Sequence, residues 1–380
     1  MEHLDWQPAA ERLARTLSTP GPGWFRALSH VPRHRFVPRW FSSGPTGWTV
    51  IDGLADEKAW VDAAYADTTL VTRVGAVHAD HASADAPVVG VPTSSSTNPG
   101  LVTAMFRHGR MSHGIRLMDM ATGSGYSAAL AAYRLGDANV TTMDIDPYLT
   151  AAATERLHSI GLRPQVVTGD ASGELPDQYD RIVSMVSVPR IPASWLGALR
   201  PAGRLVTTLA NTGLILTADK QPGGGAIGRI EWDRAAFMST RTAADYPAML
   251  NSMFAQVRER DGEDISQSPY PVINVPQAWE VWSMLTVTAP GIEHRLQLDE
   301  DGRITAWMLH ADGSWARATM PAGATGATVH QGGPRRLWDI LDQIRRRWLH
   351  EGSLPVYGAR VTITPDGETT LRRGQWEVTL

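Results

Sequence analysis

The stretch that decides the fold is Asp119-Met-Ala-Thr-Gly-Ser-Gly-Tyr126, a glycine-containing loop between two apolar segments. Ile115 to Met120 predicts a short buried strand, and the alanine-rich run from Ser124 to Leu135 predicts a helix. A strand–loop–helix junction of this kind forms the ligand crevice of a doubly wound sheet. The glycines allow close backbone approach, and the helix start offers unpaired N–H groups. The loop therefore predicts a nucleotide-type site, with a simple tight turn as the alternative.

Strands and helices continue to alternate after this loop, which is typical of a parallel sheet with right-handed crossovers. Two acidic residues end successive predicted strands, Asp144 and Asp170. Asp144 lies where it can accept hydrogen bonds from both ribose hydroxyls, and Asp170 lies where an adenine amino group could bind. The predicted elements are strands at Val140 to Ile145, Gln165 to Thr168, Arg181 to Val186 and Arg204 to Leu209, and helices at Pro147 to Ile160 and Pro192 to Leu199.

The spacing of the glycines in the loop is compatible with two kinds of nucleotide cofactor. A dinucleotide enzyme has G-x-G-x-x-G, and Gly123, Gly125 and Ala128 fit that pattern because alanine is accepted at the last position. Asp119, at the start of the loop, instead suits the methionine ammonium group of S-adenosylmethionine.

The segments before the loop predict helices, turns and one strand. Trp6 to Leu17 has helical spacing, and Val31 to Trp40 (VPRHRFVPRW) is a proline-punctuated turn. Thr69 to Val77 predicts a strand. The polar run from Pro92 to Pro99 leads into a helix predicted from Gly100 to Arg110.

The C-terminal third has a different pattern. Asp-Gly pairs at 301–302, 312–313 and 366–367 lie between runs rich in Val, Ile, Thr and Trp, which indicates β-hairpins. An amphipathic helix is predicted from Pro334 to His350, and the glycine run 223–225 reads as a linker. The sequence therefore predicts two domains: a Rossmann-like α/β sheet over 1–220, and an additional α+β domain over 226–380 that could recognise a peptide.

Composition excludes several classes of protein. The 380 residues carry a net charge of −4 and no cysteine, which excludes a disulfide scaffold, a Cys-ligated zinc site and a thiol nucleophile. The sequence lacks the strongly basic face that is typical of nucleic-acid-binding proteins. It also lacks an apolar run long enough to predict a membrane span. His78 and His81 are predicted to be surface residues rather than metal ligands. We expect no metal and a cytoplasmic location; the oligomeric state stays open.

Several motifs together resemble the protein L-isoaspartyl O-methyltransferase family. They are MDMATGSGYSAALA, TTMDID, VVTGDA, YDRIVSMVSVPRIP and LRPAGRLV, preceded by VPRHRFVP and SSSTNPGLVTAM, and they run from about Trp24 to Leu209. The resemblance implies a Rossmann-like methyltransferase sheet and carboxyl methylation with S-adenosylmethionine, which leaves as S-adenosylhomocysteine. The cofactor-binding residues implied are Asp119, Ala121, Thr122, Gly123, Ser124, Gly125, Tyr126, Asp144, Ile145, Asp170 and Ala171.

The same resemblance implies a substrate loop. Thr97 stands where the family has a serine, so we expect Thr97 and its neighbour Ser96 to be the catalytic residues. Ser94, Ser95, Asn98 and Pro99 are expected to bind substrate. The alternative is a polar loop that caps the following helix. Other departures from the family pattern are alanines at 121, 171 and 202, where glycine is usual, and Thr208 in place of proline.

The run from Arg229 to Met238 resembles extended, actinobacterial-type members found beside enzymes of ribosomal peptide maturation (graspetide, lanthipeptide and lasso peptides). This implies methylation of an aspartate in a cyclised ribosomal peptide, followed by collapse to an aspartimide. The alternatives are isoaspartate repair, methylation of a small molecule, and a non-catalytic binding module. Two further hypotheses concern the C-terminal region: a basic helix face at 335–347 could bind an acidic peptide, and Trp279, Trp282, Trp307 and Trp315 are expected in the core.

Overall fold

The computed structural model describes residues 4–18, 23–240 and 249–380. Its N-terminal part is a small sheet in the order β2-β1-β3-β4, with β5 also paired to β3, and with helices around it. These elements are α1 (Gln7–Leu17), α2 (Phe25–His30), α3 (Arg33–Phe36), β1 (Arg39–Gly44), β2 (Gly47–Asp52), α4 (Glu57–Ala64), β3 (Leu70–Val74), β4 (Val77–His78), β5 (Pro92–Ser96) and α5 (Pro99–His108).

The central sheet begins after α5 and confirms the predicted α/β fold. Five parallel strands run in the order β8-β7-β6-β9-β10, so the strand order reverses between β6 and β9, where such sheets bind ligands. Its elements are β6 (Leu117–Met120), α6 (Tyr126–Leu135), β7 (Val140–Asp144), α7 (Pro147–Ser159), β8 (Gln165–Thr168), β9 (Tyr179–Val188), α8 (Ala193–Ala198), β10 (Leu199–Leu209), β11 (Leu214–Lys220) and β12 (Ala226–Arg234).

The C-terminal region adds strands to this sheet and builds a second one. β18, β19 and β20 extend the central sheet beyond β12, and five other strands form a separate antiparallel sheet in the order β13-β17-β16-β15-β14. The elements are α9 (Asn251–Val257), β13 (Asp264–Ser268), α10 (Trp279–Thr288), β14 (Glu293–Leu298), β15 (Ile304–Leu309), β16 (Trp315–Met320), β17 (Ala327–Gly332), α11 (Leu337–Glu351), β18 (Arg360–Ile363), β19 (Thr369–Arg373) and β20 (Trp376–Thr379).

The glycine run 223–225 is a hairpin turn, so its prediction as a linker is wrong. β11 and β12 pair antiparallel on either side of it, and Gln221 donates its backbone N–H to the carbonyl oxygen of Gly225. The predicted division at 220–226 stays a prediction, but the central sheet runs across that boundary. The three Asp-Gly hairpins are confirmed, because each pair lies between two antiparallel strands.

Two polar segments form regular structure that was not predicted. The VPRHRFVPRW turn contains the short helix α3, and the polar run before α5 contains the strand β5. β5 pairs with β3, whose buried Leu70 and Val74 anchor the small sheet. A strand of serine and threonine forms here because the register of its partner, rather than its own apolar pattern, holds it in place.

Four of the five arginines of the basic helix face at 335–347 form ion pairs within the protein, and Arg346 is exposed. Arg345 is buried against the ring of Trp338. Arg335 pairs with Asp312 at 2.8 Å, and Arg347 pairs with the next turn of α11 at 3.0 Å. Most of the positive charge of this face is therefore already paired within the protein.

The four tryptophans expected in the core divide into two pairs. Trp307 and Trp315 are buried, as predicted, whereas Trp279 and Trp282 on α10 are half-buried. Among the described residues, no helix is both long enough and apolar enough to cross a bilayer.

Arg33 is a fully buried cation that joins separate segments of the N-terminal region. Burial lowers its pKa to about 10, so it remains charged at neutral pH. Its guanidinium also lies 5.6 Å from the ring centroid of Tyr126 at the start of α6. Its two terminal nitrogens donate at 2.8–3.2 Å to the backbone carbonyl oxygens of Ala64, Ala66, Thr68, Ser96 and Thr97.

We expect Arg33→Lys to lower the free energy of unfolding by about 3 kcal/mol, because an ammonium cannot reach five carbonyl groups that the guanidinium satisfies in one plane. The measurement is urea unfolding followed by circular dichroism. Arg35→Lys is the matched control, since Arg35 is an exposed arginine of the same helix and should change stability by less than about 0.5 kcal/mol. Equal stability of the two variants would contradict the role assigned to Arg33.

Candidate active site

One cavity of about 280 Å³ lies at the carboxyl ends of the central strands. Its walls bring together the cofactor loop and the polar strand β5, which belong to different sheets. Of the residues predicted for the site, all but Asp119, Gly125 and Pro99 line it. Its lining consists of residues Thr69, 93–98, 101–102, 121–124, 126–127, 143–145, Leu149, 170–171, 185–186 and 236–240.

The glycine loop takes a left-handed path that brings its backbone close to its neighbours. Gly123 and Gly125 have φ of +51° and +90°, and a Cβ atom on Gly125 would stand 3.0 Å from the Cβ of Ala153. Ala121 also lies in the left-handed region, with φ of 68°, as does Ala202 with 59°. These are two of the positions where the family pattern has glycine, so both alanines carry backbone strain of about 1 kcal/mol or more.

Asp144 is oriented by the loop that it faces. One oxygen of its carboxylate accepts the backbone N–H of Gly123 at 2.9 Å, and the other accepts that of Asp146 at 3.1 Å. Asp170 is similarly fixed, because its Oδ1 accepts from both the backbone and the hydroxyl of Ser172. Both acids therefore end their strands in defined orientations beside the cavity.

Asp119 is completely buried beneath the loop. Its Oδ2 accepts hydrogen bonds from Ser127 Oγ at 2.8 Å and from Thr142 Oγ1 at 3.0 Å. Its Oδ1 has no partner among the residues that the structure describes. Burial raises the pKa of this carboxyl group to about 7, although the two hydroxyl donors oppose the shift. The group can thus change its charge near neutral pH.

The opposite wall of the cavity is a row of hydroxyl groups on and after β5. Ser94 Oγ accepts from Thr72 Oγ1 at 3.2 Å. Ser96 is buried, and its Oγ has no partner among the described residues. The carbonyl groups of Ser96 and Thr97 are both held by Arg33, so the backbone that presents these hydroxyls is fixed from behind.

Asn98 and Pro99 begin and cap α5. This is the role that was expected if the segment is a helix-capping loop rather than a substrate-binding one. Asn98 Oδ1 accepts the backbone N–H of Leu101 at 2.7 Å, and Pro99 is the buried first residue of α5. The side chain of Asn98 is therefore engaged in capping, although it also borders the cavity. Ser94 to Thr97 remain the hydroxyl groups available to a substrate.

Residues 236–240 form a wall that sequence reasoning missed. They follow β12 and run beside the end of β9, where Ser187 exchanges backbone hydrogen bonds with Met238 and Thr240, each at 2.8 Å. Ser187 Oγ also donates to the carbonyl oxygen of Phe237. The one available signal was that the run resembling extended family members continues to Met238, four residues past the end of β12.

His78 is not the surface residue that was predicted. Its Nε2 lies 3.1 Å from Asp146 Oδ2, and its ring packs 4.3 Å from that of Tyr148. Burial lowers its pKa, and Asp146 opposes the shift. Tyr148 in turn donates to Asp80 at 2.7 Å. These contacts join the small N-terminal sheet to the loop that follows Asp144, whereas His81 is exposed as expected.

The residues of this cavity fit an adenosyl cofactor with a cationic tail. A Cβ atom on Gly123 would stand 3.3 Å from the carbonyl oxygen of Ser95, so a side chain there would crowd the crevice. Oriented carboxylates at 144 and 170 suit ribose hydroxyls and an adenine amino group. The unpartnered oxygen of Asp119 beneath the loop suits a positively charged group.

A family model of protein-L-isoaspartate(D-aspartate) O-methyltransferase matches residues 58–230. A protein-L-isoaspartate O-methyltransferase of Thermococcus onnurineus is 32% identical over 33% of this chain and 58% of its own length. One from Gloeobacter violaceus is 30% identical over 47% of this chain and 70% of its own length. The chain thus spans little more than half of the first relative.

A solved structure of a protein-L-isoaspartate O-methyltransferase is similar in fold over almost the whole chain. It covers 98% of this chain and 99% of its own, with a TM-score of 0.52 and 15% sequence identity. The likeness extends over the C-terminal region as well as the central sheet. The C-terminal region therefore does not by itself distinguish this chain from proteins named protein-L-isoaspartate O-methyltransferase.

We expect Asp144→Ala to abolish S-adenosylmethionine binding, measured by titration calorimetry. The change removes both the ribose acceptor and the oxygen that orients Gly123. Asp144→Asn separates these effects, because its amide oxygen can still accept the Gly123 N–H while its charge is lost. Unchanged affinity in the alanine variant would contradict the assignment of this cavity to the cofactor.

We expect S-adenosylmethionine affinity to rise with pH up to about 7 and to level off above it. The pKa of Asp119 is raised to about 7 in the free protein, so a cationic ligand beside it binds with release of a proton below that pH. Calorimetry in two buffers of different ionisation enthalpy measures the proton. Asp119→Asn should remove the release, and a wild-type affinity that does not vary between about pH 5.5 and 7 would exclude this carboxyl group.

Proposed function

The chain belongs to the protein-L-isoaspartate O-methyltransferase family, whose members are S-adenosylmethionine-dependent carboxyl O-methyltransferases, and we propose that it methylates a carboxylate of a peptide or protein. The observation that carries the proposal is the hydroxyl of Ser96. It is buried, it has no partner among the described residues, and it borders the cavity that also contains Asp144. An unpaired buried donor beside a cofactor crevice suits an anionic acceptor.

The roles of the cavity residues follow from this proposal. Asp144 holds the ribose hydroxyls, Asp170 the adenine amino group, and Asp119 the ammonium group of the cofactor. The loop residues Ala121, Thr122, Gly123, Ser124, Gly125 and Tyr126, together with Ile145 and Ala171, shape the crevice around it. When bound, S-adenosylmethionine supplies an electrophilic methyl group on a sulfonium centre.

The chain supplies alignment rather than a general base. A carboxylate with a pKa near 4 is already ionised at neutral pH and can attack directly. Ser96 and Thr97 donate hydrogen bonds that hold this carboxylate in line with the methyl group, and Ser94 and Ser95 contact the adjoining substrate. Arg33 fixes the backbone of Ser96 and Thr97, so their hydroxyl groups need little further ordering when the substrate reacts.

We further propose that the acceptor is an aspartate side chain in a cyclised ribosomal peptide. The support is that Ala236, Phe237 and Met238, from the run resembling extended family members, line the cavity itself. After methylation, the backbone nitrogen of the next residue attacks the ester carbonyl and loses its proton. Methanol leaves, and a five-membered aspartimide remains.

Isoaspartate repair is the second candidate. It is favoured by the structural likeness over 98% of this chain to a protein named for that activity. The two candidates share the cofactor, the carboxylate nucleophile and the proposed hydroxyl wall. They differ in whether the accepting carboxylate belongs to a damaged linear chain or to a ring-constrained aspartate.

The deciding experiment offers the purified protein two acceptors with S-adenosylmethionine and follows their mass. One is a linear isoaspartyl peptide, and the other is a side-chain-cyclised peptide with one aspartate in its ring. A gain of one methyl group followed by loss of methanol on the cyclised peptide alone supports the maturation enzyme. Methylation of the linear peptide alone supports repair, and methylation of neither contradicts methyl transfer to peptide carboxylates.

We expect Thr97→Val to lower kcat on the order of 10²-fold with little change in cofactor affinity, because the isosteric side chain keeps the packing but loses the aligning hydroxyl. Thr97→Ser, which keeps the hydroxyl, is the matched control and should retain most of the turnover. Steady-state kinetics with the accepted peptide make the comparison. Equal kcat in all three proteins would remove Thr97 from the mechanism.

A further inference from the structure

The last residues of β9 extend beyond the strand that pairs with them on one side. The pairing of β6 with β9 ends at Ser184, whereas β9 itself continues to Val188. On its other side, β9 remains paired with β10 as far as Val188. β6 therefore gives up one edge of β9 at the point where the chain turns into the cofactor loop.

Residues 236–240, which form one wall of the methyl-transfer cavity, occupy this edge. Ser187 donates its backbone N–H to the carbonyl oxygen of Met238 and accepts the N–H of Thr240, each at 2.8 Å. These two bonds make a parallel bridge between Ser187 and Ser239. The 236–240 wall thus takes the sheet position that β6 gives up.

The position of the wall places it on the methyl-acceptor side of the cavity. Asp144 and Asp170, the proposed partners of the ribose and the adenine, follow β7 and β8, which lie on one side of β6. β9 and the 236–240 wall lie on the other side of β6. The hydroxyl row at 94–97 borders the same cavity, so the space between that row and the wall is left for the acceptor.

Two buried hydroxyl groups connect the wall to β10 through side chains. Ser187 and its neighbour across the strands, Thr208, are both buried, and their hydroxyl oxygens lie 2.6 Å apart. Ser187 Oγ donates to the carbonyl oxygen of Phe237 at 3.0 Å. Because Ser187 has a single hydroxyl proton, Thr208 must be the donor to Ser187. The hydrogen bonds therefore run in one direction, from β10 to the wall, and each strengthens the next.

Neither hydroxyl group is explained by the roles given above. Among the described residues that line the cavity, neither Ser187 nor Thr208 is present, so neither side chain meets the substrate directly. Thr208 stands where the family pattern has proline, which carries no hydroxyl group. Phe237 also packs against the apolar core, so the wall is held at this residue by both its side chain and its carbonyl group.

We propose that Ser187 and Thr208 are positioning residues, which hold the 236–240 wall in place for the methyl acceptor. This inference rests on the proposed function, because the acceptor is the peptide or protein carboxylate of that reaction. Ser187 alone makes three hydrogen bonds to the wall, at Phe237, Met238 and Thr240. A wall that is ordered in advance spares the acceptor the entropy cost of ordering it on binding.

The first test measures how firmly the wall is held, without methyl transfer. Ser187→Ala should speed hydrogen exchange at the backbone amide of Thr240 about tenfold, the effect of losing one hydrogen bond. Thr208→Val should speed it too, because Ser187 then lacks its donor, whereas Thr208→Ser keeps the hydroxyl group and should not. Equal exchange at Thr240 in the wild type and in Ser187→Ala would overturn the proposal.

Thr369→Val is the matched control for the loss of a buried hydroxyl group. Thr369 is buried in β19 of the same sheet, and its hydroxyl donates to the carbonyl oxygen of Gly367 at 3.1 Å. It does not border the methyl-transfer cavity. Thr369→Val should therefore lower stability without changing exchange at Thr240.

The second test separates this inference from the proposed function. With the accepted peptide of the preceding subsection, Ser187→Ala and Thr208→Val should raise the KM for the peptide, by about tenfold for Ser187→Ala, because the wall must then be ordered on binding. The affinity for S-adenosylmethionine, measured by calorimetry, should not change. Thr208→Ser and Thr369→Val should keep the KM of the wild type.

The outcomes of the two tests can be told apart. Methyl transfer with the same peptide KM in the wild type, Ser187→Ala and Thr208→Val would overturn the positioning role and leave the proposed function in place. Faster exchange at Thr240 in these variants, with methyl transfer to neither the linear nor the cyclised peptide, would overturn the proposed function and leave the attachment of the wall in place.

Discussion

The guanidinium of Arg33 is the constraint on which the rest of the active-site structure depends. Five backbone carbonyl groups from two separate segments accept hydrogen bonds from it. A buried cation has lost its hydration shell, so losing any of these acceptors would be costly. The hydroxyl-bearing strand β5 belongs to the small N-terminal sheet, whereas the cofactor loop belongs to the central sheet. Arg33 contacts both, because it fixes the carbonyl groups of Ser96 and Thr97 and lies against the ring of Tyr126. One buried side chain therefore connects the strand that bears these hydroxyl groups to the start of α6.

A second connection supports the other side of the same crevice. His78 and Asp146 join the small sheet to the loop that follows β7, and Tyr148 with Asp80 continues the contact. The Asp144 carboxylate is in turn held by the backbone N–H groups of Gly123 and Asp146. Each wall of the cavity is thus placed by polar contacts from another element, so the crevice is organised before any ligand enters.

Only the local features of the fold and of the candidate site could be predicted from the sequence. The loop from Asp119 to Tyr126 and the acids at 144 and 170 follow strand ends, and strand ends can be found from apolar runs. β5 was missed because serine and threonine give no apolar signal, and its pairing partner β3 decides its conformation. Residues 236–240 were missed because their partner, Ser187, lies about fifty residues away in sequence. The family, and with it the enzyme class and cofactor, is confirmed, whereas the roles of single site residues and the division at 220–226 remain predictions.

The path of the central sheet has a consequence for synthesis on the ribosome. β12 pairs with β11 on one side, but its other neighbour, β18, follows only after residues 235–359 have been made. At ordinary translation rates this interval is on the order of ten seconds. During that time the nascent chain presents an unpaired strand edge on an otherwise assembled sheet, which is a template for association with other chains. Efficient production of this protein therefore depends on keeping that edge covered until its last strands emerge.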